Sequence, residues 1–252
     1  MDNISPFHKR MDISSKNKKS KIVLALDPFP RANLTEFVKN LIRHLEKYIC
    51  AIKINFHLLL PLSISQISEI NVLVHSYGLQ SIADIKLNDI IRTNEIAIRY
   101  LSKMGFDAVI VNPFIGKEAL KSAVRLAHQN SCGIIALVYM SHREAKEGFG
   151  INVVNKENRT TVMYKLFLEY AYACDVDGII VGATQVDVLK EISSEKRVPI
   201  YSPGIGIQGG NLEQAAKNGT DYFIIGSSII GSDDPLMVVK QLQQVISHLN
   251  IC

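Results

Sequence analysis

Gln80-Ser-Ile-Ala-Asp84-Ile-Lys86-Leu-Asn-Asp89-Ile90 is a short β-branched run that ends in charge and leads directly into Ile91-Arg-Thr93-Asn-Glu-Ile96. The apolar spacing Ile96, Tyr100 and Met104 predicts a helix there. Strand, polar end, helix is the unit of a parallel sheet covered by helices. Working outward, the unit recurs. Candidate strands are 22–26, 51–55, 80–84, 108–112, 133–138, 178–181, 198–201 and 222–225. Between them, Phe37, Leu41, Leu45 and Tyr48 trace one helix stripe and Ile67, Ile70 and Val74 a second, while Val238, Leu242 and Ile246 trace the last. Eight strand-helix units in about 230 residues predict a (β/α)₈ TIM barrel, since a doubly wound open sheet usually has about five to seven strands.

The 252 residues are 47% hydrophobic and 21% charged, with 15 Gly and 8 Pro, which excludes disorder, collagen and coiled coil as the dominant state. Apolar stretches such as Gly133 to Met140 fall far short of the roughly 20 residues that span a bilayer, so no membrane partner is expected. The net charge of +4 is concentrated at one end. Lys9, Arg10, Lys16, Lys18 and Lys19 face only Asp2 and Asp12 within the first 20 residues, which hold three of the four excess charges. The remainder carries a net charge of only +1, too little to match a nucleic acid, and none is expected as a partner. Residues 1–20 therefore read as a basic, disordered extension ahead of a single barrel domain, 21–252. With no apolar stretch or cleavage site resembling a secretory signal, a cytoplasmic location is expected. Cys50, Cys132, Cys174 and Cys252 are widely separated, a pattern of buried or terminal thiols rather than of disulfides or a zinc site.

A parallel barrel builds its site at the carboxyl ends of its strands. Those ends carry Asp27, then Lys53 and Asn55, Asp84 and Lys86, Asn112, Ser141, Gly182 and Thr184, Pro203 to Gln208, and Gly226 to Ser228. Asp84 and Lys86 are two apart on a strand and share a face. An ammonium fixed among carboxylates suits proton donation to a developing carbanion. Gly204-Ile-Gly206-Ile-Gln208-Gly209 matches G-x-G-x-x-G, but it follows the seventh strand rather than the first, which argues against a dinucleotide site. Loops after strands seven and eight of a barrel commonly bind phosphate instead. The long interval after strand five, Ser141 to Arg159, reads either as a lid or as a disordered insertion.

These residues resemble the orotidine 5′-phosphate decarboxylases of the short, archaeal-like type. The resemblance covers nearly everything after residue 21. It runs through Leu24-Ala-Leu-Asp27, Ile52-Lys-Ile54, Asp84-x-Lys86-x-x-Asp89-Ile90, Tyr139-Met-Ser141, Pro203-Gly-Ile-Gly206-x-Gln208-Gly-Gly210 and Ile225-Gly-Ser-Ser228. It implies a homodimer of barrels converting orotidine 5′-monophosphate to uridine 5′-monophosphate and CO₂, the last step of de novo UMP synthesis, with no cofactor and no metal. On this resemblance Lys86 donates the proton to C6, with Asp84 and the partner subunit's Asp89 beside it and Lys53 completing the array. It also implies that Asp27 binds a ribose hydroxyl, that the partner subunit's Thr93 reaches the ribose, and that Ser141 reads the pyrimidine amide edge. Ile90 joins the substrate contacts, and Pro203, Gly204, Gln208, Gly226 and Ser227 line the phosphate pocket.

One position departs from the family pattern. Where the family usually has Gly-Arg-Ser, with the Arg on the phosphate, this chain has Gly226-Ser227-Ser228, leaving Ser227, backbone amides or loop cations such as Arg143 and Lys146 to take its place. The alternatives are a Mg²⁺-dependent sugar-phosphate decarboxylase or synthase of the same superfamily, such as the 3-keto-gulonate-phosphate decarboxylases, and a silent nucleotide-binding barrel. The first places an acidic metal ligand where this chain has Lys53, and an ammonium has no lone pair to give.

Overall fold

The computed structural model describes residues 6–27, 32–154, 158–206 and 208–249. Among them the strands are β1 (Ile22–Leu26), β2 (Ala51–Asn55), β3 (Gln80–Leu87), β4 (Ala108–Val111), β5 (Gly133–Tyr139), β6 (Asn152–Val154), β7 (Thr160–Val162), β8 (Gly178–Val181), β9 (Ile200–Pro203) and β10 (Tyr222–Ile225). The helices are α1 (Phe7–Lys18), α2 (Leu34–Leu45), α3 (Phe56–Leu59), α4 (Ile64–Ser76), α5 (Ile91–Lys103), α6 (Lys117–Gln129), α7 (Met163–Ala173), α8 (Val186–Ser194), α9 (Leu212–Lys217), α10 (Ser227–Ile230) and α11 (Pro235–His248). β1 to β5, then β8, β9 and β10, close into a parallel barrel, and β6 and β7 pair apart from it as an antiparallel hairpin. The eight-unit reading holds. β9 starts later than its apolar run suggests because Pro199 offers no N–H to the ladder.

The barrel has two apolar compartments. One lies between the strands and the surrounding helices, and the other fills the lower barrel with Val23, Ala51, Ile82, Ile135, Tyr201 and Tyr222. Phe7 and Met11 of α1 complete this inner compartment, at 1% and 0% exposure. The expected disordered extension is thus corrected: over residues 7–18 the basic segment is a helix that plugs the bottom of the barrel. Its apolar face is only two large residues one turn apart, because the narrow floor has room for no more. Gly133 makes that fit possible, since a Cβ there would lie 2.5 Å from Phe7 Cβ. Polar contacts fix the rest of α1. Arg10 donates to Gln80 Oε1 at 2.9 Å and to the Ser131 carbonyl at 3.0 Å, and Ser14 Oγ donates to the Cys50 carbonyl at 2.6 Å.

Three carboxylates fasten the strand starts. Asp107, Asp177 and Asp221, each immediately before a strand, accept the backbone N–H of Ser81, Ile134 and Ile200 at 2.8, 2.9 and 2.8 Å. Each also holds a basic side chain from a helix or its end: His75 at 2.8 Å, His128 at 2.8 Å and Lys196 at 2.9 Å. The bonds to Asp107 and Asp177 raise the pKa of His75 and His128 above the ordinary imidazole value, against the opposing effect of burial. A raised value gives stability that is complete below about pH 6.5 and lost as pH rises through the folded-state value. The denaturant midpoint should therefore fall between about pH 6 and pH 8, modestly because both rings are well exposed, and a His75→Gln, His128→Gln double variant should flatten that slope. An equal slope in the variant would contradict the assignment.

Helix α5 corrects another expectation. Ile96 and Tyr100 point outward, 46% and 54% exposed, while Asn94, Ile98 and Leu101 form the buried stripe. The helix carries apolar residues on two faces, and only one meets the barrel. The segment after β5 is ordered over its described part: residues 143–147 make a 3₁₀ turn, β6 and β7 follow, and Phe149 packs on Tyr139 with ring centroids 5.5 Å apart. Cys50, Cys132 and Cys174 are buried free thiols, and burial pushes Cys132 up to about 12, so it stays protonated.

Candidate active site

The eight barrel strands, β1 to β5 and β8 to β10, surround at their carboxyl ends a cavity of about 370 Å³, within the size range of small-molecule sites. On one wall, successive inward positions of β2 and β3 put Lys53, Asn55 and Asp84 together. Lys53, only 4% exposed, donates to Asp84 Oδ2 at 2.6 Å and also to Asn55 Oδ1. Lys86 Nζ donates to the other carboxylate oxygen, Oδ1, at 2.7 Å. Burial pushes the Asp84 carboxyl upward, but the two ammonium groups together outweigh it and hold the pKa below the usual carboxylate value. Asp84 therefore remains charged through the neutral range, held on both oxygens.

Regular strand geometry does not reach this arrangement. The register of β3 against β4 shifts between Ala83 and Leu87, and Lys86 has φ of 46°, in the left-handed region. A residue with a Cβ is costly there, by about 1–3 kcal/mol, and such strain gathers at functional sites. Near the end of β3 the irregularity leaves Lys86 at the cavity with 40% of its side chain exposed, while Asp84 is buried.

The opposite wall is made of close backbone. Ser141 Oγ donates to Gln208 Oε1 at 2.6 Å, across from the charged residues. Gly204 has φ of 93°, and a Cβ there would lie 2.5 Å from Ser141 Cβ, so glycine is required on both counts. At the far end, Gly226 approaches the Ala25 carbonyl, and Ser227 is exposed to the cavity. Asp27 Oδ1 is buried without a hydrogen-bond partner. A buried acceptor of this kind calls for a donor such as a ligand hydroxyl.

Lys53, Asp84, Lys86, Asp27, Ser141, Pro203, Gly204, Gln208, Gly226 and Ser227 all line this one cavity. Asp89, Ile90 and Thr93 lie outside it. Asp89 Oδ1 accepts the Ile90 N–H at 2.7 Å, and Asp89 and Ile90 line a separate cavity of about 800 Å³ on the outer face, with Thr93 exposed near them. Neither Arg143 nor Lys146 reaches the site; among the described residues the Lys and Arg side chains lining it are Lys53 and Lys86. His142 also lines the cavity, as does Asn55, a strand-end residue to which the sequence alone assigned no role. Its signal was present, two positions after Lys53 and therefore on the same face.

A protein-family model described as orotidine 5′-phosphate decarboxylase / HUMPS family matches residues 20–242. The chain belongs to that family. An orotidine 5′-phosphate decarboxylase from Thermococcus kodakarensis is 32% identical over 231 residues, spanning 91% of this chain and 98% of the relative. The crystal structure of orotidine 5′-phosphate decarboxylase from Pyrococcus horikoshii is similar with a TM-score of 0.74 at 31% identity, covering 90% of this chain and 99% of that one. The orotidine 5′-monophosphate decarboxylase from Methanocaldococcus jannaschii, solved with the inhibitor BMP, matches with a TM-score of 0.78 at 27% identity, over 90% of this chain and 98% of that one. For a member of the orotidine 5′-phosphate decarboxylase / HUMPS family, the charge array and its cavity are the first place to look for chemistry. No helix among the described residues is long and apolar enough to cross a membrane.

Proposed function

We propose that this chain converts orotidine 5′-monophosphate to uridine 5′-monophosphate and CO₂ with Lys86 as proton donor. The observation carrying this reading is the Lys53–Asp84–Lys86 array at the edge of a cavity whose one other lining carboxylate, among the described residues, is Asp27. The C6–carboxylate bond breaks, its electron pair stays on C6, and CO₂ departs. The Lys86 ammonium stabilises that pair and then delivers one proton to C6; solvent returns the proton to the amine. No carbonyl adjacent to C6 takes up the charge, so the barrier falls through preorganised charge and the binding energy of remote groups. Lys53 takes no proton-transfer part. It holds Asp84, and Asp84 holds Lys86.

Asp27 accepts from a ribose hydroxyl, Ser141 meets the amide edge of the base with its hydroxyl held by Gln208 Oε1, and Pro203, Gly204, Gln208, Gly226 and Ser227 line the phosphate pocket. The sugar-phosphate alternative gains no support at the second strand, where Lys53 is already paired with Asp84 and cannot ligate Mg²⁺. Among the described residues no group of three His, Cys, Asp or Glu side chains could hold a metal ion. Because Ser227 stands where relatives grip the phosphate with Arg, a Ser227→Arg variant should lower KM about tenfold, an added charged hydrogen bond being worth roughly 1.5–3 kcal/mol. An unchanged KM would mean that other groups already satisfy the phosphate.

The same reading makes the active form a homodimer in which Asp89 and Thr93 complete the partner's site. Its support is that both lie off their own cavity, beside outward apolar side chains: Ile90 at 70% exposure, Ile91, Ile96, Tyr100 and Phe114 at 65%. Apolar surface of this extent beside polar groups marks an interaction site. Mixing inactive Lys86→Ala and Asp89→Ala subunits should restore part of the activity, because one site in each heterodimer then has both groups intact. No recovery after subunit exchange would contradict sharing.

A further inference from the structure

We propose that Thr184, which does not line the cavity, is a positioning residue that sets the recognition of the pyrimidine edge through Ser141. The inference rests on the reading of Ser141 as the base contact. The β5–β8 ladder ends where the Gly182 N–H donates to the Tyr139 carbonyl at 2.9 Å. Beyond it, Thr184 Oγ1 donates to the Ser141 carbonyl at 2.7 Å, so a side-chain hydroxyl does what the next ladder amide would have done. Gln185 Nε2 donates to the same Thr184 oxygen at 3.3 Å, which orients the hydroxyl proton toward Ser141. Ser141 is confined on two more sides: a Cβ on Gly182 would come within 2.5 Å of Ser141 Cα, and one on Gly204 within 2.5 Å of its Cβ.

The consequence is one of direction as well as strength. Ser141 Oγ faces Gln208 Oε1 at 2.6 Å, and these two groups together offer one donor-acceptor pattern to a base. Uracil shows N3–H as donor and O4 as acceptor, while cytosine shows the reverse. A polar site discriminates such edges only while its groups are held in register, because a wrong edge leaves them unpaired. Thr184 supplies that register for Ser141. Losing its hydroxyl should therefore narrow the preference for uracil over cytosine and not simply weaken binding.

The test measures Kd for UMP and CMP by calorimetry on the full chain carrying Thr184→Val, Thr184→Ser, Ser141→Ala, and Thr184→Val with Ser141→Ala. Thr184→Val should reduce the CMP-to-UMP Kd ratio about five- to tenfold, the size of one hydrogen bond, Thr184→Ser should keep it within about twofold, and the double variant should match Ser141→Ala. Equal weakening of both nucleotides in Thr184→Val, or full additivity in the double variant, would overturn the role of Thr184 while leaving Ser141 as the base contact. An unchanged ratio in Ser141→Ala would overturn the base-contact reading and this inference with it.

Discussion

Replacing Lys86 with alanine should lower kcat for orotidine 5′-monophosphate by a factor on the order of 10⁴. General acid catalysis contributes typically about 10²–10⁴, and a preorganised charge at the site of a developing anion about 10²–10³, and in the proposed mechanism both act through this one ammonium. The fold should survive the change. Lys86 is part-exposed, and Asp84 keeps Lys53 at 2.6 Å, so no buried charge is stranded. Lys53→Ala should behave differently, because it takes the buried partner from a carboxylate that is itself 6% exposed and leaves only the part-exposed Lys86 to compensate it, a loss of up to about 3–5 kcal/mol. The pair of variants separates chemistry from support: equal melting temperature and absent turnover for Lys86→Ala, lowered melting temperature for Lys53→Ala. Residual Lys86→Ala activity within tenfold of the parent would show that another group supplies the proton.

Phe7→Ala should destabilise the protein by about 3–5 kcal/mol, the usual cost of emptying a buried aromatic site. For a chain of this size that lowers the melting temperature by roughly 6–20 °C, at 2–4 °C per kcal/mol. The ring is 1% exposed and lies against Gly133 on the barrel floor. Removing residues 1–19 should do more, since Met11 and the Arg10 contacts go too and the stacked Tyr201 and Tyr222 rings, 4.8 Å apart, lose their cover. A melting temperature unchanged by Phe7→Ala would return the segment to a dispensable extension.

The barrel was legible in the sequence because each β-branched run lies between turn residues and is followed by a helical stripe. The array was legible because strand ends place side chains at one mouth: Lys53, Asp84 and Lys86 could be brought together on paper. What the sequence hid has physical reasons. α1 carries its core contribution on Phe7 and Met11 alone, amid charge that looks like a solvated tail. Ile96 and Tyr100 follow helical spacing as well as Ile98 and Leu101 do, and nothing in one sequence separates a face turned to the core from one turned to solvent. The bulge in β3 and the positive φ at Lys86 leave no trace in residue type, since lysine is not a residue that asks for that conformation. Thr184 acts at one remove, through a backbone carbonyl, and a side chain of this kind carries no motif.

The central claim is that this chain's own charged residues carry the decarboxylation. It is tested most directly by following the ultraviolet absorbance of orotidine 5′-monophosphate with purified protein and excess chelator, beside Lys86→Ala. The account predicts full turnover to UMP with chelator present and turnover abolished in the variant. Turnover that requires added Mg²⁺, or nucleotide binding with no loss of the carboxylate, would contradict it.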